Sequence, residues 1–159
     1  YFVANGASPT TAAQVPVTTG TLIKTLLQVA TPSTRQIKIV QWGVSFDGST
    51  AATPIKVELL QTDVAATVTS LTPTLWSDPN GTASLCVGGT TATGYTATIE
   101  GTITATRVFD AELVSPTNQY VMQYPLGREP VVAVSKFLRI RVTAGTAVNA
   151  YAYIIFEEL

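Results

Sequence analysis

The chain has no histidine, one cysteine and one methionine, and only 12% of its 159 residues are charged. Each shortage excludes something. Without histidine there is no Ser-His-Asp triad, no Cys-His pair and no imidazole-ligated metal. A single cysteine forms no internal disulfide, and Cys86, within Ser-Leu-Cys-Val, reads as a small buried hydrophobe rather than a nucleophile. The charged fraction is about half the usual quarter, which removes the Glu, Lys and Arg that a helix needs on its wet face. Nine basic residues stand against ten acidic ones, and only Arg139 and Arg141 come close together. With no concentrated basic run to displace counterions from a polyanion, nucleic acid is not an expected partner. No stretch of about 18 apolar residues is present, so no membrane-spanning segment is expected. No basic segment leads into an apolar one near Tyr1, so no signal peptide is expected within the chain.

Threonine, alanine, glycine and serine replace the missing charge. Threonine suits a half-buried pleated surface, because β-branching restricts χ1 and the hydroxyl tolerates water. The length fits one domain with a proper core. So little surface charge is a weak solution for a free monomer, which points to surface covered by partners.

Residues 1–21 carry no charge and are punctuated by Pro9 and Pro16. They read as an extended arm whose Tyr1, Phe2, Val3 and Val15 gain nothing in water, and the arm is expected to lie against a neighbouring subunit. From residue 22 the strand signals follow one another. Strands are expected at 22–29, 36–46, 55–61, 64–68, 95–106, 107–114, 119–124, 137–143 and 148–157. Asp47-Gly48 reads as a tight turn needing a positive φ, and Ala144-Gly145-Thr146 as a hairpin between the last two strands. Residues 71–92 form the longest irregular section and contain the turn Ser77-Asp78-Pro79-Asn80-Gly81. The expected fold is all-β, a single jelly-roll-like antiparallel β-sandwich over residues 22–159, with an immunoglobulin-like sandwich second. Alternation places Val40, Trp42, Val44, Ile99, Ile103, Leu138, Ile140 and Val142 in the core.

Little catalytic equipment remains. Asp110 and Glu112 share a strand face about 7 Å apart, compatible with a glycosidase pair, although a solvated strand face explains them as well. Asp47 and Asp63 lack the dense Asp/Asn loop of a calcium site. Asn80-Gly81-Thr82 matches a glycosylation sequon that chance often produces. No catalytic, metal or cofactor-binding residue is therefore assigned. Trp42, Trp76, Tyr95, Tyr120, Tyr124, Tyr151 and Tyr153 offer a second class of function, a stacking platform for sugars in a carbohydrate-binding module. Trp42 falls on a core face, whereas Trp76, in the long loop, is a candidate for exposure at an interface.

The stretch NQYVMQYPLGREPVVAVSKFLRIRVTAG beginning at Asn118, with IVQWGVSFDGS at 39–49 and the closing AVNAYAYIIFEE, resembles the head decoration, or auxiliary capsid, proteins of tailed bacteriophages. The likeness spans nearly the whole chain and rests on texture and phrases. It implies a β-rich protein on the outer surface of an icosahedral virion shell, often a homotrimer, bound to the major capsid protein and reinforcing it. It carries no catalytic residue to transfer.

Overall fold

The computed structural model describes residues 1–8, 10, 12–50, 53–78 and 80–159. Among them are twelve strands and no helix: β1 (Phe2–Ala4), β2 (Val17–Thr18), β3 (Ile23–Ala30), β4 (Ile37–Phe46), β5 (Ile55–Thr62), β6 (Thr67–Ser70), β7 (Gly94–Ile99), β8 (Thr106–Val114), β9 (Gln119–Gln123), β10 (Val131–Val132), β11 (Phe137–Thr143) and β12 (Asn149–Glu158). They form two antiparallel sheets packed against each other. Sheet A runs β1–β12–β4–β10, with β2 also paired to β12 and β9 to β4, and sheet B runs β6–β7–β3–β11–β5–β8.

The core follows from period-two alternation. β11 sends Leu138, Ile140 and Val142 inward, β12 sends Ala150, Ala152, Ile154 and Phe156, and β5 sends Ile55, Val57 and Leu59. Each fully buried aliphatic side chain stabilises the fold by about 1.5–3 kcal/mol. The other face of sheet B is not simply wet. Arg139 and Gln28 stand opposite each other there, both fully buried under the segments that flank β6 and β7. Gln28 donates to the Ala92 carbonyl (2.6 Å) and accepts from the Ala66 amide (2.8 Å), while Arg139 donates to the carbonyls of Glu100 (3.0 Å) and Val64. These bonds offset most of the cost of burying the two polar side chains, although Arg139 Nε has no partner among the described residues.

Several expectations are corrected. Val40 is only half-buried, because a register shift between Ile155 and Phe156 pairs them with Gln41 and Ile39 and leaves Val40 as the extra residue. The inward set therefore slips by one, with Ile37 and Ile39 before the bulge and Trp42, Val44 and Phe46 after it. Ile99 is 63% exposed and Ile103 half-buried. The expected strand 95–106 stops at Ile99, and Gly101, at φ 74°, turns the chain away in a conformation that side chains resist. Gly48 does not hold a positive φ. Its role is close approach, since a Cβ there would lie 2.7 Å from both Pro116 and Val148 side chains. Ala144-Gly145-Thr146 is not a hairpin, for β11 belongs to sheet B and β12 to sheet A, and the segment crosses between them. Asn80 N–H donates to Asp78 Oδ1 (2.9 Å) and Gly81 N–H to the Asp78 carbonyl (3.0 Å), so that turn forms. Pro9 and Pro79 lie outside the described residues.

The largest correction concerns the expected arm, whose β1 and β2 lie on their own domain. β1 pairs with β12 in the register Phe2–Ile155, Val3–Ile154 and Ala4–Tyr153, and β2 pairs with the start of the same strand. Val3 is fully buried in the common core. Three residues were too few to show alternation, and the partner strand that makes them a strand lies at the other end of the chain.

Candidate binding site: an aromatic pocket on sheet A

Alternation on β1 and β12 that sends Val3 and Ile154 inward must send Phe2, Tyr151, Tyr153 and Ile155 outward. These side chains crowd the outer face of sheet A. Gly43 of β4 sits opposite Tyr153 in the ladder, and a Cβ there would lie 2.6 Å from the Tyr153 ring, so the glycine lets the ring lie over the sheet. The loop of residues 71–92 supplies the remaining wall. Phe2 and Thr74 exchange backbone hydrogen bonds (2.8 and 2.9 Å), which extends the pairing of β1 to its second edge. The Tyr1 hydroxyl donates to the Thr82 carbonyl (3.0 Å), and the Glu158 carboxylate accepts from the Ser84 hydroxyl (2.5 Å) and the Leu85 amide (3.0 Å). Thus pinned, Trp76 leans on Phe2 with ring centroids 5.0 Å apart, and Phe2 lies 6.1 Å from Tyr153.

Between them is an open pocket of about 390 Å³. Its walls are chiefly apolar, and no charged side chain lines it. At its margin Gln41 Nε2 donates to the Tyr153 hydroxyl (2.5 Å), and the Tyr151 hydroxyl donates to the Gln14 carbonyl (2.8 Å). Gln14 Nε2 donates to the Ala7 carbonyl (2.8 Å), while its buried Oε1 has no partner among the described residues. Rigid ring faces plus a few fixed polar groups are what a recognition pocket is made of.

Comparison of the chain with family models, with curated proteins and with solved structures finds no match.

The five sequence candidates divide accordingly. Phe2 and Trp76 line the pocket, and Trp76 is 62% exposed. Tyr1 is half-buried beside it, stacked on Phe156 at 5.7 Å. Val15 is exposed next to Gln14, and Val3 is core, unable to meet any partner. Of the proposed stacking aromatics, Tyr151 and Tyr153 join Trp76. Trp42 is fully buried against Tyr120 (5.3 Å), well inside the sandwich. Gln14 and Gln41 were missed, and Phe2 was named only as part of the arm, because only the fold brings them to Trp76.

Asp110 and Glu112 do share a face, opposite the core residues Leu59 and Val57 at the sandwich edge. The Tyr120 hydroxyl donates to Asp110 (2.9 Å), and burial together with this bond to the carboxylate pushes the phenol pKa up. Inward-pointing acids and the bulge at Phe109 are also how an edge strand resists pairing with another chain. Cys86 is fully buried, and burial pushes its thiol up to about 12, far from a thiolate nucleophile. Among the described residues no cluster of His, Cys, Asp and Glu is arranged to hold a metal.

Proposed function

We propose that this chain is a non-enzymatic virion structural protein that decorates and cements the outer surface of a tailed-phage capsid, self-associating and binding the major capsid protein. Besides the resemblance of its sequence, one observation carries the reading. Leu22 and Ile23, at the start of β3, and Ile99, at the end of β7, are 78%, 53% and 63% exposed at one end of sheet B. The Leu22–Lys24 and Ala97–Thr98 segments line one shallow depression there. A domain with so few charges gains by covering such side chains, and an exposed apolar cluster marks an interaction surface. Contacts of this size are weak singly. Repetition over a shell, with neighbouring copies linked, makes them effectively irreversible.

The test is co-sedimentation of the purified protein with capsids that lack it. Saturable binding, reduced at least about tenfold by Ile23→Asp or Ile99→Asp, is expected, since each change removes roughly the burial energy of one aliphatic side chain. No association with any shell protein would overturn the reading. Adjacency of its gene to that of a major capsid protein is a second expected outcome.

A further inference from the structure

We infer that the pocket between Phe2, Trp76 and Tyr153 is a binding site for a neutral saccharide. The inference rests on the pocket alone and holds whether or not the chain decorates a shell.

Three features converge on that chemistry. The first is the wall. Trp76, Phe2 and Tyr153 present ring faces held in place from several sides, by the Phe2–Thr74 backbone pair, the Gln41–Tyr153 hydrogen bond and the close approach over Gly43. A sugar ring offers the matching surface, a patch of C–H groups on one face that packs on an aromatic face. The second is the margin. Gln14, Gln41, Tyr151 and Tyr153 are among the lining residues, and their amide and hydroxyl groups can exchange hydrogen bonds with an occupant. Such groups favour an occupant that brings its own donors and acceptors over one that brings none. A saccharide carries hydroxyl donors around the edge of the same ring whose face stacks. An aliphatic or aromatic anchor from a protein would fill the walls and bring no such groups. The third is charge. No Asp, Glu, Lys or Arg lines the pocket, so nothing there would pair with a uronate, a sialate or a phosphorylated sugar.

Rigidity adds to the case. Rings already fixed in the free protein lose little side-chain freedom on binding, which is where affinity for small ligands is usually forfeited.

The two tryptophans make a direct readout. Trp42 is fully buried and Trp76 is 62% exposed, so acrylamide quenching of the native protein reports mainly on Trp76. The probes are neutral gluco-, manno- and galacto-oligosaccharides of four to six units, with oligogalacturonate as the charged control. At least one neutral probe is expected to protect Trp76 from acrylamide and to give a saturable calorimetric isotherm. Trp76→Ala should weaken that isotherm about tenfold or more. Gln14→Leu, which removes the acceptor and keeps the volume, should weaken it several-fold. Leu126→Ala, on a side chain 93% exposed and away from the pocket, should leave it unchanged. Near-UV circular dichroism confirms that each variant is folded. If no neutral probe protects Trp76, or if binding survives both Trp76→Ala and Gln14→Leu, the inference is overturned. Tighter binding of oligogalacturonate than of every neutral probe would overturn it as well. None of these outcomes bears on capsid co-sedimentation, which reads a different face.

Discussion

Arg139 shows how much a single buried side chain can hold in this protein. Its guanidinium is fully buried, lies 3.3 Å from Glu100 Oε2 and ties the Glu100 and Val64 carbonyls to the outer face of sheet B. Arg139→Ala should lower unfolding free energy in urea titrations by about 1–3 kcal/mol for each of the two carbonyls it leaves without this donor, while the Glu100 carboxylate keeps its hydrogen bonds from Thr25. Arg139→Lys should recover only part of this, since one ammonium cannot replace a planar fork. Gly43 acts differently, through space rather than bonding. Gly43→Ala should displace the Tyr153 ring, whose Cε1 would lie 2.6 Å from the new methyl, leaving the fold intact while weakening any pocket ligand. Cys86 should stay unmodified by a thiol reagent at pH 8 until the protein is unfolded, given a thiol pushed up to about 12.

Among the elements, β1 has the largest effect for its length. Three residues complete the edge of sheet A, place Val3 in the core and pin the loop that carries Trp76. Val3→Ala should cost about 1–2 kcal/mol from lost burial and the cavity left behind. Removing residues 1–5 should lower the urea midpoint further and make Trp76 more accessible to acrylamide, where an arm reserved for a neighbour would have left both unchanged. Strands β5, β11 and β12 were legible in the sequence to within a residue or so, because long alternating runs with one buried face write their period plainly. β7 was overread, since the Thr alternation continues past Gly101 although the strand does not. A bulge erased the expected phase of β4, and bulges leave no mark in composition. Of the pocket, Trp76, Tyr151 and Tyr153 were legible as possible stacking rings, but not their meeting with Phe2. The outward direction of Tyr153 follows from alternation, but nothing in the chain announces that Phe2 lies between it and Trp76.

For the molecule as a whole, the acid limb of stability depends on a few carboxylates, Asp47 and Asp63 at the surface and the buried Glu58. The Thr104 hydroxyl and the Ala105 amide hold Asp63 down to about 2, and the Asn149 side chain and amide hold Asp47 below its ordinary value. Burial alone would raise Glu58, but the Lys56 hydrogen bond and the charge and hydrogen bond of Arg141 outweigh it. All three are depressed on folding, so their stabilisation is complete above the ordinary carboxylate range and fades as pH falls through the folded values. Urea midpoints should be flat near neutrality and fall between about pH 4 and pH 2, and Asp63→Asn should flatten the lower part of that fall. The position of β12 has another consequence, for synthesis. It follows the other eleven strands in chain order, yet it sits inside sheet A, with β4 on one side and β1 and β2 on the other. As the chain is made, sheet A stays unfinished, and β1 has nowhere to dock, until β12 has been synthesised. Pairings across the whole chain length are slow to close. A stop codon at Asn149 would remove the centre of a sheet rather than an edge strand.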